Sequence, residues 1–274
     1  MSKKLPIAIV IPHAGLAIPP ELRDRIALTE AQIFNEADAY TDMLYDFRER
    51  VLHWEVFPYA RSIIDVNRPH VTAGEILEGD GIIKRKTSYG ASVFIDQQAP
   101  DEALEQHLIT SYWQTWHDTM SRIADDDTVK LVLDCHSMAA IGPSHYGDPA
   151  QIRPRISASN YGLNDGHARS NDVPITASPE LTRFAAKAFG DALADIVDIA
   201  PTSKAYDINT PFFGGYNIWK HGGQKQPWVM VELSRATYIG EQTGDTPVSA
   251  PKIEKIALIR KRLWQAIIEI VNQL

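Results

Sequence analysis

The stretch Leu131-Val-Leu-Asp-Cys-His136-Ser-Met138 decides how this chain is read. Its apolar start is the pattern of a buried strand, and its far end presents an acid and an imidazole. Alternation along a strand puts Asp134 and His136 on one face. There a carboxylate can fix the tautomer of an imidazole that ligates a metal. Two other stretches repeat the arrangement. Ile7-Ala-Ile-Val-Ile-Pro-His13-Ala-Gly15 ends a strand on a histidine followed by a glycine turn. Pro227-Trp-Val-Met-Val-Glu232-Leu-Ser234 carries a glutamate inside an apolar run. Two histidines and a glutamate at the ends of buried strands point to a metallohydrolase.

Working outward, hydrophobic patterning predicts strands near 7–12, 54–59, 61–66, 130–135, 195–199 and 227–233. It predicts helices near 30–53, 101–125, 179–194 and 250–273. The last carries Ile256, Leu263, Ile267 and Ile270 at helical spacing, with Ser249 as its expected cap and Pro251 in its first turn. Nearly continuous apolar strands alternating with helices define an α/β fold. Its expected form is a mixed, largely parallel sheet with helices on both faces. Residues 1–274 read as one metallohydrolase domain with a loop-rich insertion around 142–178. That segment is rich in Gly, Pro, Ser and Asn, and is either functional or a poorly ordered insertion.

The composition narrows the function. With 44% hydrophobic and 23% charged residues, the 274-residue chain can build a substantial core. A net charge of −8 without a basic stripe argues against nucleic acid. No apolar run approaches the ~20 residues that span a bilayer, and the short run after the basic N-terminus is no signal peptide. Cys135 is the single cysteine, which rules out an intrachain disulfide and fits a reducing cytoplasm. An anionic substrate remains compatible with the acidic chain if a few local arginines hold it.

The individual positions each have an ordinary reading beside the chemical one. His13 at a strand's carboxyl end is a candidate ligand, or a turn histidine bonded to backbone. His136 is a candidate ligand, or half of a self-satisfied polar pair with Asp134. Ser137 does not sit in a Gly-x-Ser-x-Gly turn, which disfavours serine hydrolysis. A third ligand should be a carboxylate or another histidine. Asp38 and Asp42, four apart on the expected helix, are the candidates, with Asp42 preferred. Glu232 in its apolar run is a candidate general base, or the partner of Arg235. Asn67 and Arg68 would make a carboxylate clamp, with Arg61 beside them, or Arg68 simply pairs with Asp65. Tyr216, after Gly214-Gly215, either donates to substrate or packs.

Taken in order, these pieces resemble the N-formylglutamate amidohydrolase family. The likeness rests on Pro12-His13-Ala14-Gly15, Thr41-Asp42 with Leu44-Tyr45, and Asp65-Val-Asn67-Arg68-Pro69. It continues through Tyr112-Trp113 with His117, Asp134-Cys-His136-Ser137, Asn164-Asp165-Gly166, Gly214-Gly215-Tyr216 and Glu232-Leu233. The resemblance implies a zinc-carboxypeptidase-like fold and hydrolysis of N-formyl-L-glutamate to formate and L-glutamate, a step of histidine breakdown. It implies a Zn2+ ion, or another divalent transition metal, on His13 and His136. It also implies Glu232 as general base and Arg68 as carboxylate-binding arginine. The chain departs from the carboxypeptidase pattern in having Leu16, not glutamate, three residues after His13, so the acidic ligand must come from elsewhere. The expected partner is a small acidic N-acyl amino acid. The competing readings are another N-acyl amino acid deacylase, a carboxypeptidase-like peptidase, or a non-catalytic small-molecule binding protein.

Overall fold

The computed structural model describes residues 4–70 and 80–274. Among these, the strands β1 (Leu5–Ile11), β2 (Val51–Val56), β3 (Leu131–Met138), β4 (Ile156–Ser159), β5 (Tyr206–Ile208) and β6 (Trp228–Ser234) form one sheet. Its order is β2-β1-β3-β6-β4-β5. Every neighbouring pair runs parallel except β4 and β6, which are antiparallel. The sheet is therefore mixed and largely parallel, as the apolar strands lead one to expect.

The helices are α1 (Glu30–Glu36), α2 (Thr41–Leu44), α3 (Glu102–Leu108), α4 (Thr115–Asp125), α5 (Pro179–Ala192), α6 (Tyr216–His221) and α7 (Ile253–Val271). They cover both faces of the sheet. Ile7, Ile9 and Ile11 of β1, Leu131, Leu133 and Cys135 of β3, and Val229 and Val231 of β6 pack against α5 and α7. The alternate residues Ala8, Val10, Val132, Trp228 and Met230 pack with Trp116, Met120 and Ile123 of α4 and Ile218 of α6. This second face also carries Asp134, His136 and Glu232, because side chains two apart on a strand share a face.

Three expectations fail for identifiable reasons. The helix expected over 30–53 is broken. Thr29 caps α1 through a reciprocal box with Gln32, and the helix ends at Glu36. Ala37 is extended and Tyr40 is left-handed at φ 64°, so α2 starts afresh. By Val51 the chain has joined the sheet beside β1, where ladder hydrogen bonds override helical spacing. The strand expected at 61–66 is a turn, with the Ile63 and Ile64 amides both bonded to the Ala60 carbonyl. The strand expected at 195–199 is a connector whose Ile199 amide reaches Ala236. Conversely β4 and β5 are too short and too polar to show a period.

The segment 142–178 is built into the molecule. It contains β4, and buried Asn160 donates to the Gly166 and Ala177 carbonyls while accepting from Gly162 and Asn209. The helix expected over 101–125 runs through α3 and α4 with one π turn at Ile109–Gln114 between them. This turn presents Trp113, whose indole donates to the Arg68 carbonyl at 2.9 Å. α7 begins at Ile253 with Lys252 as its cap; Ser249 instead accepts a hydrogen bond from the Tyr40 hydroxyl at its carbonyl.

The two faces of α7 give a direct check on the packing. Leu263→Ala, at a fully buried position, should cost about 2–5 kcal/mol. Leu258→Ala, 45% exposed on the same helix, should stay within about 0.5 kcal/mol of the parent. Urea denaturation measures both, and similar shifts would contradict this account of the helix face.

Candidate active site and metal centre

The carboxyl ends of β1, β3 and β6 converge, as ligand sites of parallel sheets commonly do. His136 and Glu232 are register partners on β3 and β6, on one face. His13 follows β1 after Pro12 and enters a tight turn. A Cβ at Gly15 would lie 2.2 Å from the Pro58 carbonyl carbon, so only glycine allows this approach. The break between α1 and α2 lies against the same turn: the Asp38 amide donates to the His13 carbonyl at 3.0 Å. Arg235 and Tyr238 pin that break by donating to the carbonyls of Asn35, Ala37 and Ala39.

The result is a buried group of His13, Asp38 and His136 whose ligating atoms all lie within 4.8 Å of one another. Asp38 Oδ2 is 2.9 Å from His136 Nδ1 and 3.6 Å from His13 Nδ1. Two donors held by ~2.0 Å bonds at a tetrahedral angle stand roughly 3.3 Å apart, so the set suits zinc or a similar ion. The ring orientations agree. His13 Nε2 donates to Asp65 Oδ1 at 2.9 Å, which turns its Nδ1 towards Asp38. Asp134 Oδ1 approaches the other nitrogen of His136 at 3.3 Å. Asp38 Oδ2 and the two imidazole Nδ1 atoms thus converge on one point, where a proton or a metal cation can sit. The electrostatics reflect this. Burial alone would lower the His136 pKa, but Asp134, Asp38 and Glu232 raise it well above the usual imidazole value.

The structure brings Asp38, not Asp42, to the histidines. Asp42 lies in the first turn of α2, half-buried, with Asp46 and Arg48 as its charged neighbours. The broken helix explains the difference: the two acids never share one helical face.

Glu232 is buried, its Oε2 has no hydrogen-bond partner, and it lines the cleft beside the histidines. Burial raises its carboxyl to about 7, against the pull of His136. The expected alternative of a Glu232–Arg235 ion pair does not form among the described residues. Arg235 spends one nitrogen on the carbonyls of Asn35 and Ala37 instead.

Arg61, Asn67 and Arg68 line the same cleft. Arg61 bonds Asp65 Oδ2 at 2.9 Å and keeps its buried Nε without a partner. Arg68 reaches Asp80 Oδ1 at 3.2 Å and the Tyr146 hydroxyl at 3.4 Å, while Asp65 Oδ2 lies 3.9 Å away. The Asn67 side chain accepts from the Asn217 amide at 2.8 Å, and a Cβ at Gly215 would strike it. Beneath them, His117 Nε2 donates to the Val66 carbonyl, and His221 donates to His117 Nδ1, each at 2.9 Å. Burial lowers His117 to about 3 and His221 to about 4, so both rings are neutral at pH 7. Tyr216 is not in the cleft. It stacks on Trp113 and lines an adjoining aromatic pocket with Arg68, Phe213 and Trp219.

Several participants were not singled out by the sequence. Asp65, read only as a possible partner of Arg68, is fully buried and anchors His13, Arg61 and the Asn67 amide. The 142–178 segment contributes Pro143, Tyr146 and Arg153, which no local pattern flags. Glu36 and Ser88 form a further wall, with Ser88 donating to Glu36 through both its amide and hydroxyl.

Comparison with known proteins follows the same outline. The model of the N-formylglutamate amidohydrolase family matches residues 5–239. The N-formylglutamate deformylase of Pseudomonas putida is 25% identical over 277 aligned residues, covering 97% of this chain and 93% of that protein. The crystal structure of N-formylglutamate amidohydrolase from Ralstonia eutropha JMP134 superposes with a TM-score of 0.73 at 18% identity. That alignment covers 99% of this chain and 95% of the other.

The two aspartates separate cleanly in a binding measurement. Asp38→Ala should weaken zinc by at least roughly 100-fold in competition with a chromogenic chelator. Asp42→Ala should leave the titration unchanged. Loss of zinc on Asp42→Ala alone would restore the helical reading.

Proposed function

Because this chain belongs to the N-formylglutamate amidohydrolase family, we propose that it hydrolyses N-formyl-L-glutamate to formate and L-glutamate. We propose a divalent transition ion, zinc in the first instance, as its cofactor. The observation that carries this reading is one buried cleft. It joins a His-Asp-His donor set, a glutamate with a free oxygen, and arginines suited to an acidic substrate. The reaction would fall in histidine breakdown, and the single buried cysteine suits a cytoplasmic setting. Among the described residues no helix is long and apolar enough to cross a membrane.

His13, Asp38 and His136 would hold the ion, and Asp65 and Asp134 would orient the two imidazoles. When bound, such an ion acidifies water to near neutrality and polarises the amide carbonyl. Glu232 takes the proton of the attacking water through its unpartnered oxygen and returns it to the departing amine nitrogen. Its elevated pKa suits both directions of transfer. Arg61 offers its free Nε to the carbonyl oxygen as negative charge develops there. Arg68, beside Asn67, receives the α-carboxylate through its planar fork. A second reading, deacylation of a larger N-acyl amino acid or short peptide, draws on the aromatic pocket next to Arg68. There Phe213 and Trp219 are 37% and 48% exposed and could take a bulkier group.

Formate release from N-formyl-L-glutamate should disappear on chelation and return with zinc. A zinc-loaded protein that releases none would end this assignment, and a panel of acyl amino acids and peptides would then test the second reading. Glu232→Gln should lower turnover by about 100- to 10,000-fold while zinc content stays at wild-type level. Full activity in that variant would remove Glu232 from the proton path. Arg68→Ala should weaken the acid far more than its α-carboxamide analogue. Equal losses on the two would contradict the clamp.

A further inference from the structure

Four arginines line the cleft: Arg61, Arg68, Arg153 and Arg235. Three of them already hold a carboxylate of the protein. Arg61 has Asp65, Arg68 has Asp80, and Arg153 grips Asp148 through two bonds of 2.7 and 2.8 Å. Arg235 differs. Only 4% exposed, it has no carboxylate within ion-pair distance among the described residues. Its Nη1 donates to the Asn35 and Ala37 carbonyls at 3.0 and 2.7 Å, and its buried Nε has no partner. A buried guanidinium without a counter-ion is costly, and such groups are normally paired. Arg235 is among the residues that line the cleft, which on the proposed function receives an acidic molecule.

The position suits recognition. Arg235 starts the short turn that follows β6, three residues after Glu232. It shares no hydrogen-bond partner with Arg68, whose contacts are Asp80, Tyr146 and the Asn67 carbonyl. Arg235 is therefore a cationic position separate from Arg68, which is already paired with Asp80. A substrate with two carboxylates separated by three carbons needs two such positions. Glu36 lines the same wall, but its Oε1 is taken by the Ser88 amide and hydroxyl.

We propose that Arg235 is the specificity-determining residue of the cleft, receiving the side-chain carboxylate of the N-acyl amino acid while Arg68 receives the α-carboxylate. This inference rests on the proposed dicarboxylate substrate class and adds the residue that selects it. The competing role is purely structural, a pin that holds residues 35–37 next to Asp38.

The zinc-loaded full chain, Arg235→Gln and Arg235→Lys are compared on N-formyl-L-glutamate and N-formyl-L-glutamine, and by calorimetry with glutarate and butyrate. Arg235→Gln should cut the acid-to-amide ratio in kcat/KM on the order of 100-fold. It should weaken glutarate similarly and leave butyrate unchanged. Arg235→Lys, which keeps the charge without the fork, should retain part of the preference. Equal losses on both substrates in both variants, with falling zinc content, would reduce Arg235 to a pin and overturn the proposal. So would a wild-type protein that prefers the amide or binds glutarate no better than butyrate. A wild-type protein that binds glutarate selectively through Arg235, yet releases no formate, would instead defeat the assigned reaction and leave this assignment standing.

Discussion

One buried carboxylate, Asp65, ties the cleft together. It is fully shielded from water, and its two oxygens accept from His13, Arg61 and the Asn67 amide. Burial alone would raise its pKa. His13, Arg61 and Arg68 overcome that and hold the carboxyl well below the usual range. An anion stripped of water survives only with such partners, so the partners are in turn held in place. Through this one group the orientation of an imidazole, the reach of an arginine and the path of the chain into Asn67-Arg68 become a single constraint. The neutral His117–His221 pair fixes the same path from below by donating to Val66.

Polar satisfaction separates the structural groups of the cleft from the reactive ones. Asp65 and Arg153 are engaged by the protein's own charged and polar groups. Glu232 Oε2, Arg61 Nε and Arg235 Nε are not. A folded chain seldom leaves buried polar atoms empty, because each forfeits its hydration without return. Three such atoms on residues lining one cleft mark where the protein's own contacts stop and a ligand's would begin.

Much of this was legible in the sequence, and the failures share a cause. β1, β3 and β6 are apolar on both faces, so their runs stand out, and with them His13, His136 and Glu232. Long helices such as α5 and α7 show their period for the same reason: one face is buried over several turns. The acids at 38 and 42 could not be separated, because their placement depends on the left-handed turn at Tyr40, a residue type that gives no warning of it. The Thr29–Gln32 capping box fixes where α1 starts, but nothing nearby announced so early a stop. Asp65 and Arg235 were seen only through their nearest neighbours in the chain. Their real partners lie 52 residues away at His13 and about 200 residues away at Asn35 and Ala37. Sequence patterns report local period; the contacts that set His13 and Arg235 are long-range, whereas Arg61–Asp65 and Arg153–Asp148 pair within five residues.

Cys135 sits between Asp134 and His136 yet belongs to the opposite side of the sheet, packed among aliphatic side chains under α5 and α7. Burial, with help from Asp134, raises its thiol well above the ordinary value. The pleat therefore keeps a soft sulfur donor, one residue away along the chain, from ever competing for the ion that the imidazoles are built to hold. It also makes this thiol a clock. An alkylating reagent must wait for the strand at the centre of the sheet to open, so the rate of labelling reports how often the whole core comes apart.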